Sequence, residues 1–317
     1  MIDAATKKRP GPPLNVRAAV ASVATALFLL ALKSWAAVAT GSVAMLGSLA
    51  DTALDLVASL VLLLSVRYAA MPPDEDHRFG HGKAESLAAL FQVALIAVSA
   101  ALIAWRATGR LMSGAVTVEA ESGIIVSVIA ILATFALIAY QKSVIRRTGS
   151  VAIAADNLHY QSDLLLNLSV IAALAIDAAL GIGWVDPLFG VAIALWLSWG
   201  AWRGAARAID QLMDKEWPDE KRLRFIAVAH RHDELKNLHD LRTRTSGNRD
   251  FAQFHVDMPA DMTVAQSHGI IHRVEEDLCA HFPEVEVLIH IDPEGHVDEP
   301  DNPLVEEDQF RKLEEGD

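Results

Sequence analysis

Residues 42–66 read SVAMLGSLADTALDLVASLVLLLSV. The run is long enough to cross a bilayer, which takes about 20 mostly apolar residues, yet it carries Asp51 and Asp55 near its centre. A carboxylate at mid-bilayer depth is costly, so such residues face a protein interior and mark ion or proton paths. Their four-residue spacing puts both on one helix face, with Cβ atoms about 5 to 6 Å apart. A membrane span with a paired acidic face inside it predicts a helical membrane protein that handles cations.

The rest of the chain agrees with that start. Of its 317 residues 52% are hydrophobic, and they are unevenly spread. From Arg17 to Arg207 the chain is rich in Ala, Leu, Val and Ile, whereas from Asp210 onward it is polar and holds nine of the twelve histidines. The shift predicts a membrane domain over 16–209 and a soluble domain over 210–293. A disordered basic arm over 1–15, with Lys7, Lys8 and Arg9, precedes them, and a disordered acidic tail over 294–317 follows. The net charge of -13 argues against a nucleic-acid partner. The single cysteine, Cys279, excludes an intramolecular disulfide and a cysteine-rich zinc site. The first apolar segment follows the basic arm as a signal peptide would, but no small-residue cleavage site follows it, so it reads as a retained span.

Six segments meet the length test: 16–38, 42–68, 84–111, 123–140, 150–180 and 184–207. An even number puts both termini on one side. Arg17 opens the first span, Arg67, Arg78 and Lys83 lie between the second and third, and Lys142, Arg146 and Arg147 lie between the fourth and fifth. The opposite loops carry Glu119, Glu121 and Asp186. Both termini are therefore expected in the cytoplasm. Arg106 and Arg110, at the outer end of the third span, run against this pattern and are expected to snorkel.

Beyond a linker over 210–220 the pattern reads as a helix over 219–230 with Pro218 in its first turn, strands over 238–245 and 251–258 around a turn at 246–248, a helix over 263–282 and a strand over 285–292. Phe254, Val256 and Met258 alternate with Gln253, His255 and Asp257, which gives one core face and one polar face. The order α-β-β-α-β predicts an α+β open-faced sandwich.

The fifth span repeats the i, i+4 device with His159 and Asp163. Two such faces opposed supply three carboxylates and one imidazole, a donor set that suits a tetrahedral divalent ion. The plainer reading, carboxylates that merely tie helices together, explains one aspartate better than two matched pairs. Asp156, one turn away, is expected at the interface. The loop over 72–83 offers Asp74, His77 and His81 as a second, shallower metal site, or else is a solvated polar turn. Lys83 and Glu85 are expected to be anchors. In the soluble domain His239, His255, His290 and Asp292 fall on strands and His268 on a helix. Together they predict a binuclear metal site with a bridging carboxylate. His230, His232, His272, His281 and His296 are expected to be exposed.

Taken together, Gly41-Ser42-Val43-Ala44, Asp51-x3-Asp55, His77-Arg78-Phe79-Gly80-His81-Gly82-Lys83-Ala84-Glu85-Ser86, His159-Tyr160-Gln161-Ser162-Asp163 and His239-Asp240-Leu241-Arg242-Thr243-Arg244 resemble the cation diffusion facilitator family, in particular its bacterial zinc and iron efflux branch. The resemblance covers Arg17 to Pro293. It implies six transmembrane helices, all-α, plus a C-terminal cytoplasmic α+β metallochaperone-like domain, working as a homodimer in the inner (plasma) membrane that exchanges a divalent metal for protons. It places the transport site on Asp51, Asp55, His159 and Asp163, the loop site on Asp74, His77 and His81, and the cytoplasmic binuclear site on His239, His255, His268, His290 and Asp292. It also sets Lys83 opposite Asp214 in a salt bridge between protomers. The acidic tail has no counterpart in the pattern.

Other function classes fit less well. No span carries His-Glu-x-x-His and no nucleophile stands beside a base, which argues against an enzyme. A channel needs a continuous polar stripe, and a metal sensor would leave the intramembrane carboxylates unexplained. Zn2+ is favoured as cargo by tetrahedral fit and affinity order, while Fe2+, Cd2+ and Mn2+ also suit the donors. The alternatives are a Mn2+-selective exporter of the same family and a membrane metal sensor or channel.

Overall fold

The computed structural model describes residues 13–40, 43–113, 124–180, 184–247, 249–295 and 309–310. The chain divides into two compact units, Met1–Ile209 and Asp210–Asp317. Most of the basic arm, the loop residues Glu119 and Glu121, the turn residue Asn248, His296 and most of the acidic tail lie outside the described residues.

Among the described residues the first unit holds six helices: α1 (Leu14–Thr40), α2 (Val43–Ala69), α3 (Lys83–Ser113), α4 (Ile124–Thr148), α5 (Val151–Leu180) and α6 (Val185–Leu212). Among the described residues, five of them, α1 to α4 and α6, are long and apolar enough to cross a membrane. The remaining helix, α5, is 30 residues long, about 45 Å at 1.5 Å per residue, and packs against α2, α3 and α4. It carries the polar residues Asp156, His159 and Asp163.

Two expectations about this unit are corrected by the helix ends. Lys142, Arg146 and Arg147 are not in a loop but on the last turns of α4, because the helix continues past its apolar stretch until Gly149. There φ is 63° and the amide donates to Ile145 O at 2.8 Å, a left-handed stop that glycine adopts without a Cβ clash. The three cations thereby sit at the negative end of the helix dipole. Arg110, expected to snorkel, instead pairs with Asp186 at the start of α6, Nη1 to Oδ2 2.9 Å.

Packing of α6 depends on small residues. A Cβ built on Gly190 would lie 2.9 Å from Ala107 Cβ, one on Gly204 2.9 Å from Val93 Cγ2, and one on Gly200 2.8 Å from Leu158 Cδ2. Between membrane helices there is no hydrophobic gain to be had from leaving lipid, so close backbone approach and dispersion must hold them together. Large apolar side chains such as Leu64, Trp105, Phe135 and Leu195 point outward and are exposed.

The second unit contains α7 (Asp219–Ala229), β1 (Lys236–Ser246), β2 (Arg249–Met258), α8 (Val264–His281) and β3 (Val285–Pro293). The sheet runs β1-β2-β3, with β1/β2 antiparallel and β2/β3 parallel. Phe225 and Ile226 of α7 and Val274 and Leu278 of α8 pack against Leu241, Phe254 and Val256 of the sheet, which gives the open-faced sandwich. Thr263 caps α8 through a reciprocal capping box with Gln266, satisfying two otherwise orphan amides. Trp217 locks the segment before α7 onto β1: its amide donates to Thr243 Oγ1 at 2.9 Å and its indole Nε1 to Arg244 O at 3.2 Å. The expectation of disorder across the whole tail is corrected at one point. Phe310 is buried in this core and its ring lies 4.7 Å from that of His230, because a large aromatic side chain gains more from burial than an acidic neighbourhood costs.

The glycine contacts give a direct stability test. Gly190→Val should lower the unfolding free energy by about 1 to 3 kcal/mol through overpacking against Ala107, read as a lower unfolding midpoint in detergent, while Gly109→Ala, with open space around it, should not.

Candidate metal sites

The first cluster lies between α2 and α5. Burying one stripe of each helix turns Asp55 toward His159 and Asp163. His159 Nε2 is 3.0 Å from Asp55 Oδ1 and 3.7 Å from Asp163 Oδ2, and one ligand atom from each residue lies within 4.8 Å of the others. Asp51, one turn from Asp55, stands outside this group of three and is exposed. It lines the same cavity of about 270 Å³ as Asp55 and Asp163.

The surrounding contacts hold the ligand-bearing face of α5 still. Tyr160 Oη lies 3.2 Å from Ser59 Oγ on α2 and donates to Ser22 O on α1 at 3.2 Å, and Asn167 Nδ2 donates to Asp163 O at 2.7 Å. Asp156 is not interfacial as expected. It is fully buried, and its Oδ2 accepts from Ser22 Oγ and from Gln141 Nε2, each at 2.7 Å. It therefore ties α1, α4 and α5 together one turn from His159. Sequence reasoning also missed Lys33 on α1, which faces the same cavity and donates to Thr52 Oγ1 at 2.7 Å. The signal was present, since Lys33 is the one ionisable residue between Arg17 and Asp51.

The second cluster is the turn before α3. Asp74 Oδ1 accepts from the amides of Asp76 (3.1 Å) and His77 (2.7 Å), an Asx turn that folds the loop over itself. The His77 amide, with other contributions, holds the Asp74 carboxyl below its ordinary range. Gly80, at φ 81°, reverses the chain and brings His81 Nε2 to 3.1 Å from Asp74 Oδ2. His81 is buried against the Tyr68 ring at 4.5 Å, and among the described residues neither ring nitrogen has a well-aligned hydrogen-bond partner, the 3.1 Å approach to Asp74 included. A buried imidazole with an unspent lone pair beside a carboxylate and a second imidazole fits a metal ligand. Glu85 is an anchor by geometry, buried and hydrogen-bonded to the Asn15 amide.

The third cluster is made by strand register. Pairing sets His239 opposite His255 and His255 opposite His290, so three imidazoles lie side by side, with ring centroids 5.3 and 4.5 Å apart. Register shifts on both sides of His239 accompany positive φ at Asn237 (49°) and Asp240 (48°). Bulges of this kind re-aim a side chain, and here His239 Nδ1 donates to Asn237 O at 2.7 Å. With Nδ1 so engaged, Nε2 is the ring nitrogen turned toward Asp292, 3.7 Å from its Oδ2, and the one that would face a metal. Asp292 is buried and shared: Oδ2 is also 2.9 Å from His255 Nδ1, and Oδ1 is 3.4 Å from His290 Nε2. His239, His255 and Asp292 form a group able to hold one ion, with exposed His290 at its edge. His268 is not brought into it. It is exposed on α8 and stacks on His272 at 6.3 Å. Among the residues left aside, His232 is partly buried and lies 3.1 Å from Asp277.

Comparison with known proteins adds independent observations. Residues 19–213 match the model of the cation efflux transmembrane domain, and residues 217–294 that of the cation efflux protein cytoplasmic domain. A protein of Shewanella oneidensis named cation-efflux pump FieF is 41% identical over 273 residues, covering 86% of this chain and 92% of its own length. The protein of that name from Klebsiella pneumoniae is 40% identical over 283 residues, 89% of this chain and 93% of its own. Among solved structures, the metal-bound C-terminal domain of the CzcD transporter from Thermotoga maritima is 24% identical, covers 26% of this chain and 99% of that one, and superposes with a TM-score of 0.24.

The loop cluster makes a pH prediction. Because the His77 amide, with other contributions, holds the Asp74 carboxyl below its ordinary range, Asp74 should stay ionised and available to Zn2+ at mildly acid pH. Asp74→Asn should therefore weaken Zn2+ binding by a similar factor across that range. Dye-competition titrations between pH 5 and 8, with the other two clusters removed by substitution, would measure it.

Proposed function

The chain belongs to the cation efflux family, a family of membrane transporters and not of enzymes, and from that premise we propose that it is a proton-coupled exporter of divalent metal with Zn2+ as principal cargo. The observation that carries this reading is the approach of Asp55 Oδ1 (3.0 Å) and Asp163 Oδ2 (3.7 Å) to one imidazole nitrogen, His159 Nε2, among membrane-spanning helices. Asp51 is the fourth ligand, reached from the wall of the same cavity. Fe2+, Cd2+ and Mn2+ suit the same donors, and Zn2+ is favoured because one imidazole and three carboxylates complete a tetrahedron.

The coupling follows from competition for the same atoms. Zn2+ needs the His159 lone pair and ionised carboxylates, so loading the site expels protons and reprotonation expels the metal. On this reading the site loads from the cytoplasm, the helices re-orient, and protons from the far side take the metal's place. Such alternating access requires two conformations whose populations cargo and protons bias.

The remaining assignments belong to the same proposal. Residues 1–15 form a basic arm, 16–209 the transmembrane domain, 210–293 a cytoplasmic metal-binding domain and 294–317 an acidic tail. Both termini face the cytoplasm and the bilayer is the inner membrane. Asp74, His77 and His81 bind metal near the surface, and His239, His255, His290 and Asp292 bind it in the cytoplasmic domain, with His268 joining from α8 when metal draws it in. The protein works as a homodimer, with Lys83 of one protomer opposite Asp214 of the other.

Reconstitution into liposomes with an imposed pH gradient tests the core of this. Zn2+ flux should be accompanied by proton counterflow, and Asp55→Ala or His159→Ala should cut flux about 100-fold or more, since each removes a ligand from a set of four. Undiminished flux in either variant, or flux with no proton movement, would sink the reading.

A further inference from the structure

We propose that Lys33 is the built-in counter-cation of the transport cavity, a positioning residue that holds down its affinity for divalent metal and so allows cargo to leave. The inference rests on the reading of Asp51, Asp55, His159 and Asp163 as the cargo site. Its own evidence is the placement of an ammonium on the wall of a cavity that also holds the Asp51, Asp55 and Asp163 carboxylates.

The hydrogen bonds say how that charge is held. Thr52 gives its hydroxyl proton to Ser48 O at 3.0 Å, which leaves its oxygen to accept from Lys33 Nζ at 2.7 Å. Thr52 lies between Asp51 and Asp55 in sequence, yet among the described residues Lys33 makes no ion pair within 4.0 Å of either carboxylate or of Asp163. A lysine whose task was to neutralise an aspartate would form that pair and remove a ligand. A lysine free to snorkel would reach for the membrane surface. Lys33 is instead tethered to Thr52 on the cavity wall, and its ammonium occupies none of the carboxylate oxygens.

Charge arithmetic gives the consequence. Three ionised carboxylates and a divalent ion sum to one negative charge, and adding Lys33 brings the loaded site to neutrality. A net charge is costly to carry through a low-dielectric interior, so a neutral loaded site can move. The same ammonium repels the incoming ion: at an effective dielectric of about 20, a unit charge within about 10 Å of a divalent ion changes its affinity by more than tenfold. Without Lys33 the site should bind more tightly and turn over more slowly.

The test uses the full-length protein with His77→Ala, His239→Ala and Asp292→Ala to silence the other clusters. Zn2+ binding is measured at equilibrium, and KM and maximal flux are measured in liposomes. Lys33→Gln, which can still bond to Thr52, and Lys33→Met should each bind Zn2+ at least about tenfold more tightly, about 1.4 kcal/mol, with a lower KM and a maximal flux reduced severalfold. Lys33→Arg should stay near the parent. Unchanged or weaker binding in whichever neutral variant elutes as folded protein would overturn the proposal, because a merely structural lysine would weaken the site. Failure of the parent to transport Zn2+ would overturn the transport reading instead, and the equilibrium measurement would still judge Lys33.

Discussion

Three carboxylates on the wall of one cavity, two of them against an imidazole, repel one another unless cations are supplied, and much of the membrane unit is arranged around that constraint. Asp55 and Asp163 both approach His159 Nε2, Asp51 lines the same cavity, and so does Lys33, tied to Thr52. A stable permanent ion pair would satisfy the charges and abolish the site. On the proposed reading the charges are satisfied incompletely, as reversible binding of an ion requires.

Around this centre, polar contacts cross-link the neighbouring helices. Asp156 receives two hydrogen bonds at 2.7 Å, Tyr160 is clamped between α1 and α2, and the α6 glycines let that helix come within contact of α3 and α5. Rigidity there and openness one turn away are complementary. A ligand helix that rattled would pay for ordering each time an ion arrived.

The C-terminal unit gathers its candidate metal ligands by another route. Here strand register does the assembling: His239, His255 and His290 line up because three strands pair in one register, and register shifts on both sides of His239 re-aim its ring. His268 shows the limit of periodicity. Its place on α8 could be read from the pattern, but its distance from the strands depends on how the helix sits on the sheet.

The sequence by itself determined the elements and the ligand types. Apolar runs longer than a bilayer, the matched i, i+4 pairs and the period-two strands each report local geometry, which repeats at fixed intervals along the chain. The tertiary structure alone decided which of those residues meet. It turned Asp55 toward α5 while leaving Asp51 on the cavity wall, buried Asp156 where an interfacial position was expected, carried α4 past its apolar stretch, and folded Phe310 into the C-terminal core. It also brought Lys33 from α1 to the acidic face of α2. Helix rotation, register and cross-packing are set by contacts between residues distant in the chain, and no local period encodes those.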